Sequence, residues 1–237
     1  MMMRMACVTA GLALSASAAL GGSVSVVQSG LSDAQLGDLI TSDVFAAEAR
    51  VGDSGRKAQK EAILTGPGGF RSESNVDLGG EPVNISAAFA LSFASGMMNF
   101  SFNGVSVPSA MALDASGVDA IAIRLRGDRE LQSFSYGASL TELTFNGMAV
   151  SGFSQVDVDN GGINPGVSSL ILDGFDFSQD WTLEGRITFI ADELRGAGVG
   201  SNPAMQIKGI EMQVIPLPTA AAMGLAGLGL VGLRRRR

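Results

Sequence analysis

The run Phe89–Val107, FALSFASGMMNFSFNGVSV, places bulky side chains on every second residue: Phe89, Leu91 and Phe93, then Met98, Phe100 and Phe102. An alternation of period two buries one face of an extended strand, whereas a helix would need its apolar residues three and four apart. Asn103-Gly104 then interrupts the pattern. Asn-Gly tolerates positive φ at both central positions of a tight turn, so the stretch reads as a strand entering a hairpin. The same pattern extends outward along the chain in Ile121-Ile123-Leu125, Phe134-Tyr136, Leu143-Phe145, Ile187-Phe189 and Met205-Ile207, with a second hairpin expected at Asn146-Gly147. Residues 83–214 therefore read as roughly eight to ten strands without intervening helical periods, which predicts an all-β, antiparallel two-sheet sandwich of jelly-roll-like form.

Residues 19–82 are less regular and are expected to pack on the sandwich or to lead into it. Ser32 stands three residues before Gln35 and ahead of Leu36, Leu39 and Ile40, a capping-box arrangement that predicts a short helix. The stretch GRKAQKEAIL that follows fits a helix or an edge strand, and TGPGGF ends it. Residues 1–18 have the layout of a secretory signal peptide: one charge at Arg4, an apolar stretch from Ala6 to Leu14, and small residues at Ala16, Ser17 and Ala18. Its removal would also remove Cys7, the one cysteine of the chain. The exported part would then have no disulfide and no thiolate chemistry.

Composition narrows the chemistry further. All 23 acidic residues lie between Asp33 and Glu211, while five of the 16 basic residues are Arg4 and the last four positions, which leaves the body at about −12. Such a surface repels nucleic acid, so no nucleic-acid partner is expected. Histidine is absent from the sequence, which removes Ser-His-Asp and Cys-His catalysis and imidazole metal ligation. The chain is accordingly read as a non-enzyme with no catalytic residue, although a carboxylate pair acting on a glycoside is chemically open. Carboxylates gather in QVDVDNGG and LDGFDFSQDW. Asp157, Asp159 and Asn160 resemble the start of an oxygen-ligand loop for a structural calcium, with Asp173, Asp176 and Asp180 as neighbours; the plainer reading makes them solvated turn residues. Trp181 and Tyr136 alternate with Leu183 and Phe134, which places them in the core, while a carbohydrate-binding reading would use them as sugar platforms.

The last residues have a distinct design. Pro216-Leu217-Pro218 is followed by the uncharged stretch Thr219–Leu233 and then by Arg234, Arg235, Arg236 and Arg237. As a helix that stretch would extend about 22 Å, short of the ~30 Å hydrocarbon core. Each arginine costs about 3 kcal/mol at the bilayer centre, so the cluster acts as a membrane stop on the cytoplasmic side. The prolines hold the residues before them extended and keep the helix from starting earlier. Proline motif, short apolar helix and arginine cluster, in this order at the end of the sequence, resemble the PEP-CTERM sorting signal, with Leu217 where that motif carries glutamate. The resemblance implies passage across the inner membrane, transient anchoring by residues 215–237 as one transmembrane helix, and processing by an exosortase, a membrane protease of bacteria that make exopolysaccharide. It also implies a final place at the cell surface or outside the cell. The expected role is structural or adhesive in a surface or extracellular matrix; the alternative is a carbohydrate-binding module for exopolysaccharide, and a carboxylate-dependent hydrolase is a third reading.

Overall fold

The computed structural model describes residues 23–53, 56–77, 83–127, 136–159, 166–191 and 203–213. In chain order the described elements are β1 (Ser25–Leu31), α1 (Asp33–Gly37), β2 (Ile40–Asp53), β3 (Arg56–Thr65), a 3-10 turn (Pro67–Gly69), β4 (Arg71–Asn75), β5 (Val83–Ala94), β6 (Met97–Phe102) and β7 (Val105–Pro108). They continue with β8 (Ala120–Arg126), β9 (Tyr136–Phe145), β10 (Met148–Ala149), β11 (Val156–Asp159), β12 (Val167–Asp173), β13 (Trp181–Ala191) and β14 (Ala204–Met212). One sheet has the order β1-β12-β8-β14-β2-β3-β4; the other runs β10-β9-β13-β5-β6-β7, with β11 also paired to β9. Every ladder between these strands is antiparallel. The chain is an all-β sandwich of two facing sheets.

The alternation visible in the sequence produces this packing. Phe89, Leu91 and Phe93 on β5, Phe100 and Phe102 on β6, Leu183, Ile187 and Phe189 on β13 point inward and meet Phe45, Ala47, Ile121, Ile123, Leu125, Leu170 and Ile207 of the other sheet. Two glycines let rings of the facing residues lie flat on the backbone. A Cβ on Gly185 would stand 2.8 Å from Cε1 of Phe89, and the ring of Phe45 fills the place where a Cβ of Gly209 would be. Both expected hairpin turns are present. Asn103 and Gly104 have φ of 48° and 79°, Asn146 and Gly147 of 49° and 75°, and Ser95-Gly96 forms a third turn of the same kind between β5 and β6.

Residues 25–75 contribute more than the mixed segment expected from their sequence, since β1 to β4 are integral strands of the first sheet. Their pattern is muted because β2 fills its inner face with Ala47 and Ala49 between Phe45 and Val51, and carries a further alanine, Ala46, outward. The stretch GRKAQKEAIL lies largely in β3, a strand one place in from the sheet edge, where Ala62 and Leu64 face the core. The short helix is where the capping box puts it. The Ser32 hydroxyl accepts from Gln35 N, and the Gln35 side chain accepts from Ser32 N at 2.9 Å. A satisfied cap of this kind contributes about 1 kcal/mol. Leu36 of α1 then joins Ala120, Ala122, Ile171 and Ile210 in a second small core on the outer face of the sheet. Asp33 fixes the helix there by taking both Nε and Nη2 of Arg124 on β8, each at 2.6 Å.

The sheet edges are protected against pairing with other chains. β4 is short and charged, β7 ends in Pro108, and β1 is broken by register shifts. On the β1 side a parallel bridge Ser25–Ser151 joins the two sheets, with Val26 N donating to Ser151 O at 2.9 Å and Ser151 N to Val24 O at 3.1 Å. Among the described residues no helix is long and apolar enough to cross a membrane. The expected signal peptide, the expected apolar helix Thr219–Leu233 and its flanking Pro216, Leu217, Pro218 and Arg234–Arg237 lie outside the described residues.

Candidate functional site

The acid-rich stretch LDGFDFSQDW forms one end of the sandwich, and its inward face is aromatic. Phe177 and Trp181 are buried, Phe175 is half-buried, and Trp181 lies about 6 Å from the rings of Phe45, Phe145 and Phe177, with centroid separations of 6.2, 6.1 and 6.1 Å. The indole Nε1 donates to Phe177 O at 3.0 Å. Trp181 is thus a core residue, as its spacing indicates, and at 3% exposure it offers no surface to a sugar. The side chain of Tyr136 lies outside the described set.

The aspartates of this stretch hold the backbone that carries those rings. Asp173 accepts from Gly174 N at 2.5 Å, Asp176 accepts from Ser178 N at 3.1 Å and from the Ser178 hydroxyl at 2.5 Å, and Asp180 accepts from Ser95 N at 2.9 Å. The bonds from Ser178 hold the Asp176 carboxyl below its usual range. These three residues cap separate turns, which is the turn-residue reading, and do not converge. Asn146 completes the end by exchanging bonds with Thr182, its Oδ1 accepting from Thr182 N at 2.8 Å and its own N donating to Thr182 O at 2.8 Å.

Asp157 has a different setting. It stands on β11 at the edge of the second sheet, and both of its oxygens accept from Gln155 Nε2, at 2.8 and 2.9 Å. Of the other two residues of the calcium expectation, Asp159 is described in its backbone only and Asn160 lies outside the described residues. Among the described residues no three His, Cys, Asp or Glu side chains come together to hold a metal.

Beside Asp157 a groove of about 240 Å³ runs between the edges of the two sheets. Its walls come from three separate parts of the chain: Ser29 on β1, Phe153 to Asp157 leading into β11, and Ser168 with Leu170 on β12. Local backbone features open it. β1 is irregular between Val26 and Leu31, and Gly30 and Gly152, both with φ of +72°, leave the wall free of side chains at two points. The floor is apolar, with Leu170 buried and Val26, Phe153 and Val156 half-buried, whereas the rim is polar, with Ser29, Ser154, Gln155 and Asp157 exposed. An apolar floor under a few convergent polar groups is the usual make-up of a small-molecule site. The groove is hidden in the sequence because its walls are distant in the chain; of its lining residues, Asp157 is the candidate ligand that the sequence offers.

The outer face of the first sheet holds an ordered charge network. Asp33 pairs with Arg124, whose Nη1 donates to Gln206 at 3.0 Å; Gln206 and Arg50 both donate to Glu48 Oε2, at 3.1 and 2.9 Å. Arg126 flanks this network with its Nε buried and unbonded, and burial, followed by the charges of Arg124 and Arg50, lowers its pKa against the attraction of Glu48 and Asp33. The network fastens α1, β2, β8 and β14 together.

The class that these observations define is an all-β, two-sheet sandwich with a groove at its edge. No protein-family model matches the chain, and no curated protein matches it in sequence.

Proposed function

We propose that this chain is an exported bacterial surface or extracellular-matrix protein with a structural or adhesive role, in which the sandwich is the delivered part and the two ends direct its delivery. The observation that carries the reading is the order Pro216-Leu217-Pro218, Thr219–Leu233, Arg234–Arg237 at the end of the sequence, beginning four positions after Met212, the last residue of β14. β14 lies between β8 and β2 within its sheet, and Gln213 N still donates to Leu39 O at 2.9 Å. A tail that starts so close to a central strand gives a protease little slack; whatever grips the tail holds the folded sandwich against the membrane. The apolar stretch would serve as one transmembrane helix, the arginines as its cytoplasmic stop, and an exosortase-type protease as the partner that cuts near the prolines.

The strand order supports the jelly-roll-like form within this reading. β2 pairs with β14, β5 with β13, β8 with β12 and β9 with β11, four pairings nested one inside the next along the chain. Jelly-roll sandwiches serve in capsid and lectin domains, roles that need a rigid body more than a catalytic cleft. An antibody raised against the sandwich should label intact producing cells, or the medium around them, without permeabilisation. Labelling confined to cells with a breached inner membrane would refute export.

A further inference from the structure

The edge groove has no part in the delivery just described, and its chemistry is selective. We infer that it is a subsite for an uncharged hexopyranose unit. The inference supplies a ligand class for the adhesive role, and rests on that reading for its setting though not for its measurement.

A pyranose ring presents two kinds of surface: an edge of vicinal hydroxyls, each a donor and an acceptor, and faces of C–H groups. The groove answers both. The Asp157 carboxylate is an acceptor that can take two neighbouring hydroxyls, and its orientation is set beforehand by the two contacts from Gln155 Nε2, at 2.8 and 2.9 Å. Ser29, Ser154 and Ser168 add hydroxyls from three different segments, so polar groups reach the groove from more than one side. The half-buried Val26, Phe153 and Val156 give C–H groups an apolar surface to cover. The volume of about 240 Å³ suits one ring with neighbouring units extending past the open mouth.

Charge decides the kind of sugar. Among the described residues the carboxylate of Asp157 is the one formal charge lining the groove, and the body carries about −12 overall. A uronate or sulfated sugar would bring a second negative charge against that carboxylate, whereas a neutral hexose brings none.

The test uses the purified full-length chain and four probes: the methyl pyranosides of glucose, mannose and galactose, and glucuronate. Saturation-transfer NMR is read against the wild type, Asp157→Asn and Ser168→Ala, each checked for an unchanged melting temperature. At least one neutral glycoside should bind saturably, with a Kd on the order of 1 mM, typical of a single small polar unit. Glucuronate should bind at least about tenfold more weakly. Asp157→Asn should lose about tenfold for the neutral glycoside and narrow the gap to glucuronate, because the amide keeps one acceptor oxygen, turns the other into a donor and removes the repulsion. If Asp157→Asn proves unfolded, Ser168→Ala decides alone, with an expected loss of several-fold. Absence of binding by all three neutral glycosides, equal binding of glucuronate, or binding unchanged in every folded variant would overturn the subsite. None of these results touches export, which is measured on cells.

Discussion

Replacing Trp181 with alanine should lower the unfolding free energy by about 4 kcal/mol, within the range for deletion of a large buried aromatic. The expected effect is large for several reasons. The residue is 3% exposed, stacks on Phe45 and Phe145, meets Phe177 edge-on at 89°, and begins β13, the strand that pairs with both β5 and β9. Removing the ring leaves a cavity bordered by both sheets and deprives Phe177 O of its Nε1 donor. For a body of this size the melting temperature should fall on the order of 10 °C. Trp181→Phe keeps an aromatic ring and loses the hydrogen bond, so it should cost well under half as much. Denaturant unfolding of the three proteins separates the two terms. An alanine variant as stable as the wild type would mean that this end of the sandwich is not packed as described.

How much of this could be read in the sequence depended on whether a signal was local. The Asn103-Gly104 and Asn146-Gly147 turns were legible because their backbone requirement is met by two adjacent residues, and the Ser32–Gln35 capping box because it is complete within one helical turn. β2 was obscured by alanines that reveal no preference for either face, and β3 by the charged run GRKAQKE, whose spacing fits a helix as well as a strand. The aspartates of LDGFDFSQDW illustrate another limit. A carboxylate that caps a turn and one that binds a cation use the same residue type beside the same glycines, and only the positions of Ser178 N, Gly174 N and Ser95 N show what Asp176, Asp173 and Asp180 do. The edge groove combines β1, the approach to β11, and β12, so no single window of sequence contains it.

The second large effect concerns processing. Changing Pro216 and Pro218 together to alanine should leave the sandwich fully folded, because both residues follow β14, yet the chain should accumulate in the inner-membrane fraction as an uncut form. Alanine restores two backbone N–H groups and allows helical φ and ψ at Ile215 and Leu217, so the proposed apolar helix could grow back toward the sandwich and replace the extended stretch proposed for protease binding. Proteases bind substrates as extended strands, and a helical segment denies them those backbone contacts. The effect should approach all-or-none on a blot of fractionated cells, with melting temperature unchanged. Release equal to the wild type would show that the prolines take no part in recognition.

The most direct test of delivery by two removable ends is the intact mass of the wild-type chain recovered from producing cells. A mass that lacks residues 1–18 and everything beyond the neighbourhood of Pro216–Pro218, with the sandwich otherwise unmodified at its new end or carrying a single added group there, is the predicted result. A mass that still includes Arg234–Arg237 would contradict the sorting account and make the tail a permanent anchor.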